Sequence, residues 1–152
     1  MRYFRLIEKI PGRSSLGFGT GAGRWNPTGV PIIYACNLSS LNFLELLSIK
    51  GSCVASSSWL LVEIEILSEI LFLDKATLPA DWDRRPYPVS TQSIGSKWAR
   101  RLDGLALQVP SCRIPLSQYP AHHNLLINPL HRDFTGSVRV VGEEVVSFML
   151  NQ

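Results

Sequence analysis

Arg24, Tyr34, Glu45 and Ser111 are the side chains whose types and settings could do chemistry. Arg24 follows the Gly-rich stretch GFGTGAG (17–23) and precedes an apolar, β-branched run. A guanidinium there could clamp a pyrophosphate through two parallel hydrogen bonds, or could be a surface arginine paired with a carboxylate. Tyr34 lies near the end of that run. Its ring could pack on a flat heterocycle and its hydroxyl could bond a ribose; the alternative is a core tyrosine whose hydroxyl reaches the surface. Glu45 sits one helical turn after Leu41 and one turn before Ile49, between Leu44 and Leu46. A partly buried carboxylate needs a partner, so Glu45 is either a site acid or a rim residue whose head reaches water. Ser111 follows Pro110 at the end of a strand-like run, where a hydroxyl either contacts a ligand or bonds its own backbone in a turn.

Other chemistries fit less well. GFGTGAG suggests a dinucleotide-fold turn, but Arg13-Ser14-Ser15 precedes it and Trp25-Asn26-Pro27 follows it, where that turn needs a strand and a helix. It reads instead as a flexible loop whose backbone can approach a ligand closely. A triad of Ser111 with His122, His123 or His131 and Asp133 is conceivable, yet no G-x-S-x-G elbow is present. His122 and His123 are adjacent and so point apart, which disfavours a metal site. Cys36, Cys53 and Cys112 are odd in number and widely spaced, against a disulfide framework or a zinc site. Trp25, Trp59, Trp82 and Trp98 are too dispersed for a nucleic-acid stacking platform and default to core packing. Glu63 and Glu65 alternate with Val62, Ile64 and Ile66 and read as the solvated face of a strand.

The elements that must position these groups follow from pattern. Tyr3 to Ile7 and Val30 to Ala35 read as strands, with a loop from Pro11 to Gly29 between them. Leu38 to Ile49 reads as a helix capped by Ser39 or Ser40 and ended by Lys50-Gly51. Trp59 to Leu67 has strand period, and Leu78 to Val89 is a Pro-rich loop. Ser90 then caps a helix with Ile94, Trp98 and Leu102 on one face, closed by Gly104. Leu105 to Val109, Leu125 to Ile127, Ser137 to Val141 and Val145 to Leu150 are further candidate strands. The 152 residues suit one domain, and 45% hydrophobic against 18% charged residues excludes a disordered or fibrous chain. The net charge of +3 is scattered apart from Arg84-Arg85 and Arg100-Arg101. It suits a small anionic ligand or an acidic partner better than nucleic acid. MRYFRLIEKIPG is too polar for a signal peptide, and the apolar region from Trp59 to Leu73 is broken by Glu63, Glu65 and Glu69. A cytoplasmic, reducing setting is expected.

GRWNPTGVPIIYACNLSSLNFLELL (23–47), VPSCRIP (109–115) and HNLLINPLHRDF (123–134) together resemble the RES-domain family, the toxin half of RES–Xre toxin–antitoxin pairs. That family shows Gly-Arg-Trp-Asn-Pro-x-Gly, a strand ending in Tyr, a helix carrying a Glu, then Val-Pro-Ser and Asn-Pro-x-His. Thr91-Gln92, Ile94-Gly95 and Trp98 form a weaker third piece. By motif position the family's Arg, Glu and Ser are similar to Arg24, Glu45 and Ser111, and its strand tyrosine to Tyr34. The resemblance adds Arg5, Trp25 and Asn128 as substrate-binding candidates. It departs from the family at the C-terminus, where Val-Ser-Phe-Met-Leu-Asn-Gln replaces a Phe-x-Asp-x-Arg-Leu-like stretch. The resemblance implies one RES domain over 1–152. The implied fold is α+β and ADP-ribosyltransferase-like, with mixed β-sheets and a few helices. It implies NAD as substrate, no prosthetic group and no metal. The implied reaction is hydrolysis or phosphorolysis of the nicotinamide–ribose bond, or transfer of ADP-ribose to a protein, arresting growth. The implied partner is an Xre-type helix-turn-helix antitoxin, with room for a homo-oligomer in that complex and no membrane or direct nucleic-acid binding. Two other classes stay open: a ribonuclease using His131 with Arg100-Arg101, and a non-enzymatic partner-binding module.

Overall fold

The computed structural model describes residues 1–150. In β3 (Trp59–Ile66), Val62, Ile64 and Ile66 are buried while Glu63 and Glu65 face outward, as period two dictates. Each such apolar side chain stabilises the fold by about 1.5–3 kcal/mol relative to exposure. β1 (Arg2–Glu8) pairs with β3 along its whole length, from Arg2 against Glu65 to Glu8 against Trp59. β7 (Val138–Val146) lines the other side of β3.

β2 (Ile33–Cys36), β4 (Ile70–Phe72), β5 (Ala106–Val109) and β6 (Asn124–Ile127) complete a seven-stranded sheet in the order β4-β5-β6-β2-β1-β3-β7. Only β4 and β5 run parallel, so the sheet is mixed. The join between β1 and β2 is a single register pair, Phe4 with Cys36. The sheet therefore opens there into two wings. One core fills the space they enclose, with Tyr3, Ile33, Ala35, Val62, Ile64, Leu125 and Ile127 among its members. A second core, including Trp25, Trp98, Leu107, Val109 and Leu126, lies on the far side of the β5–β6 wing beneath α2 (Val89–Arg101).

α1 (Ser39–Lys50) covers the join. Its buried Asn42 donates from Nδ2 to the carbonyl of Phe4 at 2.9 Å, which satisfies β1 where its pairing with β2 runs out. Lys50-Gly51 does end the helix, Gly51 taking a φ of +67°.

Several local expectations need correction. Neither Ser39 nor Ser40 caps α1; Leu38 is the cap residue and no side chain bonds the first turn. Pro88 rather than Ser90 precedes α2, and the Ser90 hydroxyl donates to Asp81 instead. Leu102, at φ +56°, closes α2 ahead of Gly104. The two strands expected over 137–141 and 145–150 are replaced by the single strand β7, which ends at Val146 and leaves 147–150 outside any strand; a bulge opposite Glu63 and Ile64 absorbs the Gly142 region. β4 had no periodic signal, being three residues long. A single helical turn, α3 (Phe134–Ser137), leads into β7.

Candidate active site

The two wings and α1 meet at one edge of the sheet, where β2 and β5 end and β6 begins. A cleft of about 350 Å³ opens there, lined among others by Arg24, Tyr34, Glu45, Arg113 and Asn124. That is the size range of small-molecule sites. A smaller apolar hollow adjoins it under α1 and shares Tyr34, Glu45 and Asn124 with it.

Glu45 hangs from α1 one turn beyond the buried Leu41, so its carboxylate points at the strand ends rather than at solvent. Oε1 accepts from the Ser111 hydroxyl at 2.5 Å and from Asn124 Nδ2 at 2.9 Å. Oε2 faces the Arg113 guanidinium, 3.5 Å from Nε. The side chain stays 22% exposed. Two donors thus fix one oxygen and leave the other turned to the cleft, an arrangement that can stabilise a developing positive charge. Asn124 is itself held, its Oδ1 accepting from the Cys36 thiol at 3.1 Å across the β2–β6 pair. Ser111 Oγ also accepts from the Arg113 N–H at 3.0 Å, making the Asx-like turn its alternative reading described.

Arg24 is only 8% exposed. Its Nη1 donates to the carbonyls of Trp82 and Arg84 at 2.9 and 2.8 Å, and its guanidinium lies 5.2 Å from the Tyr87 ring centre. It pairs with no carboxylate among the described residues, contrary to the surface-arginine alternative. It ties the 82–88 loop to the cleft wall through Nη1 alone, with Nε and Nη2 left out of these bonds.

Tyr34 carries its ring on the cleft side of β2, but its hydroxyl is committed. It accepts from the Trp25 N–H at 3.0 Å and donates to Asn26 Oδ1 at 2.6 Å. Burial pushes this hydroxyl well above the usual tyrosine range. Tyr34 thus braces the turn that presents Arg24, and Gly23 is needed there because a Cβ would lie 2.6 Å from that same oxygen. α2 braces the turn from the other side. Thr91 Oγ1 donates to the Arg24 carbonyl at 2.6 Å, Gln92 Nε2 to the Gly23 carbonyl at 3.0 Å, and Gly95 admits the Trp25 carbonyl, which a Cβ would meet at 1.7 Å. Thr91, Gln92, Gly95 and Trp98 thus act as one unit that seats Trp25 and Arg24.

Arg24, Trp25, Tyr34, Glu45 and Ser111 come together at the cleft. Trp25 lines it but is 1% exposed and packs in the second core. Arg5 and Asn128 do not line it. Arg5 donates to the carbonyls of Ser15 and Gly17 at 2.8 and 2.7 Å, anchoring the Gly-rich loop; burial, then repulsion from Arg13, lowers its pKa to about 10. Asn128 is buried, donating to the Ala99 carbonyl at 3.0 Å and accepting from the Leu130 N–H. The Gly-rich loop opens no helix, since the next one begins at Ser39. Sequence reasoning passed over Asn124, Arg113 and Tyr87. Asn124 sits four residues before Asn128 in the same motif, and only the β2–β6 register reveals which of the two faces the cleft.

His123 Nδ1 donates to the Pro120 carbonyl at 2.8 Å and Nε2 accepts from the Tyr3 hydroxyl at 2.9 Å in the neutral ring. Burial lowers its pKa, which favours that neutral form. Ser111 is bonded to a carboxylate, not to a histidine. Cys112 lines the cleft, but burial pushes its thiol up to about 11, so it is a poor nucleophile. No cluster of three metal-ligating side chains occurs among the described residues. No helix among them is long and apolar enough to cross a membrane.

Several proteins are similar to this chain in sequence or in fold. A toxin named Res from Yersinia enterocolitica serotype O:8 / biotype 1B is 36% identical over 137 residues, covering 88% of this chain and 87% of its own. The Prs ADP-ribosylating toxin of a Sphingobium species (strain YBL2) is 36% identical over 127 residues, 81% of this chain and 76% of its own. The crystal structure of the M. tuberculosis MbcT–MbcA toxin–antitoxin complex superposes with a TM-score of 0.73 at 18% identity, over 96% of this chain and 84% of that one, which supports the α+β fold. The family model for the RES domain matches residues 5–150, and the chain belongs to that family.

Proposed function

We propose that this chain is the toxin enzyme of a bacterial toxin–antitoxin pair and that it cleaves NAD at the nicotinamide–ribose bond. The observation that carries the reading is the Glu45 carboxylate, fixed through Oε1 by Ser111 and Asn124 in a cleft it shares with Arg24. The scissile bond joins the ribose C1′ to a cationic nicotinamide nitrogen. When it breaks, its electron pair goes to that nitrogen, and nicotinamide departs neutral. No general acid is required, in contrast to the paired carboxylates of glycosidases. Positive charge grows on the ribose instead, and one carboxylate suffices to support it.

Each residue then has a role. Glu45 steadies the sugar cation and holds a ribose hydroxyl. Ser111 and Asn124 keep its carboxylate aimed. Arg24 offers its remaining protons to the diphosphate, fixing the ribose in place. The Tyr34 ring forms the wall on the nicotinamide side, and its hydroxyl keeps the Arg24 turn rigid. An acceptor attacks C1′ from the open side and gives up its proton: water yields ADP-ribose, phosphate yields its phosphorylated counterpart, and a protein side chain yields the ADP-ribosylated protein. An ADP-ribosylating relative supports this chemistry, and a toxin–antitoxin complex of the same fold supports an antitoxin partner, which this reading takes to be of Xre type and to meet the toxin in the cytoplasm.

The test is to incubate the purified chain with NAD, with and without inorganic phosphate, and follow nicotinamide release. Release is expected, and the mass of the ribose-bearing product identifies the acceptor. Intact NAD under every condition, with added protein acceptors included, contradicts the reading.

A further inference from the structure

Arg113 lies two residues beyond Ser111 and lines the cleft from the side of Glu45. Its backbone is fixed by the Ser111 hydroxyl, which accepts its N–H at 3.0 Å. Its guanidinium is not. Nε is buried without a hydrogen-bond partner, and the nearest anion, Oε2 of Glu45, is 3.5 Å away. A charge-assisted bond of this kind normally closes to about 2.7–2.9 Å. A buried donor left open in this way is rare in a native fold and points to a missing partner. The side chain is 18% exposed, so a ligand in the cleft can reach it.

Arg24, the other guanidinium of the cleft, differs. Its Nη1 is bonded to two carbonyls and its plane lies over Tyr87, so it cannot swing without releasing the 82–88 loop. The cleft thus holds one fixed cation and one under-bonded cation. Two like charges lining one cavity are relieved when an anion enters between them. Meanwhile the position of Arg113 works against Glu45: a carboxylate facing a guanidinium has less charge to offer a sugar cation.

We infer that Arg113 is a second anion-gripping residue of this cleft, resting against Glu45 when the cleft is empty and turning to a phosphate oxygen of the diphosphate when a dinucleotide binds. This rests on the NAD-cleaving reading above. Moving Arg113 off Oε2 frees that oxygen for the ribose, so binding of the diphosphate and readiness of the carboxylate become linked. The cleft then selects for ligands that carry phosphate. Nicotinamide riboside, which has the same scissile bond and no phosphate, leaves Arg113 on Glu45 and is cleaved slowly even at saturation.

The experiment compares the parent chain with Arg113→Lys and Arg113→Gln. It measures kcat and KM for NAD and for nicotinamide riboside, and the Kd for ADP-ribose by calorimetry; circular dichroism confirms folding. In Arg113→Gln, KM for NAD and Kd for ADP-ribose are expected to rise about 10- to 100-fold, as loss of a bond to a charged group implies. Arg113→Lys, which keeps the charge, should fall between, and carries the test alone if the Gln variant does not fold. Cleavage of nicotinamide riboside should hold steady or speed up in Arg113→Gln. An unchanged KM and Kd with only kcat reduced would make Arg113 a mere holder of Glu45 and overturn the inference, with the NAD reading intact. A parent chain that neither cleaves NAD nor binds ADP-ribose overturns both.

Discussion

Glu45 and Glu65 each meet arginine, and the contrast between them separates a site from a surface. Glu65, on the outward face of β3, accepts from Arg139 Nε at 2.9 Å and from its Nη2, and Arg2 Nε lies 3.3 Å from its other oxygen. Hydrogen bonding from Arg139 holds its carboxyl below the usual range. Both arginines are more than half exposed, and its charge is answered by flexible partners in water. Glu45 is held through one oxygen by two short side chains, Ser111 and Asn124, rooted at strand ends, and its second oxygen meets a guanidinium too distant for a good bond. A carboxylate beside an arginine is therefore not by itself a sign of chemistry. What distinguishes Glu45 is rigid neutral donors, a half-buried setting and an unfinished charge pair facing a cleft.

The sharpest way to break the contrast is to dislodge the cleft's frame while leaving the outer wing alone. Gly95→Ala places a Cβ 1.7 Å from the Trp25 carbonyl, and neither backbone can step aside cheaply. Thermal unfolding is expected to show a loss of about 3 kcal/mol, or roughly 6–12 °C in Tm. A Tm within 2 °C of the parent would mean that the Trp25–Arg24 turn is not seated as described.

Removing one of the two donors on Glu45 is a smaller change. Ser111→Ala should lower kcat/KM for NAD about 10-fold, because the carboxylate keeps Asn124 but loses its aim. An undiminished rate would show that Asn124 alone suffices. On the outer wing the effect should nearly vanish. Glu65→Gln is expected to leave activity unchanged and shift Tm by about 2 °C or less, a difference that shrinks further in about 1 M salt. A salt-independent loss would make the outer network structural.

The same contrast explains how far the sequence could be read. The β3 alternation identified Glu63 and Glu65 as surface groups because a strand's two faces are written directly in period two. Leu41, Glu45 and Ile49 on one helical line made Glu45 a candidate for the same reason, though spacing could not choose between a site acid and a rim residue. That choice depends on Ser111 and Asn124, which are 66 and 79 residues away and are brought near by strand register alone. Arg5 and Asn128 show the converse. Both carry chemistry-capable side chains inside motif-like segments, yet the fold uses them to satisfy loop and helix carbonyls. Caps were misjudged because Ser39, Ser40 and Ser90 fit the local rule while Leu38 and Pro88 took the position, with the Ser90 hydroxyl drawn to Asp81 across the loop. The bulge in β7 hid one strand as two, since Gly142 and two acids look like a turn until β3 lies beside them.

The most direct measurement is nicotinamide release from NAD by Glu45→Gln and Glu65→Gln side by side with the parent. Gln keeps the shape of each side chain and removes only its charge. Glu45→Gln should release nicotinamide about 100- to 1000-fold more slowly while remaining folded, and Glu65→Gln should match the parent. Equal rates for the parent and Glu45→Gln would contradict the account.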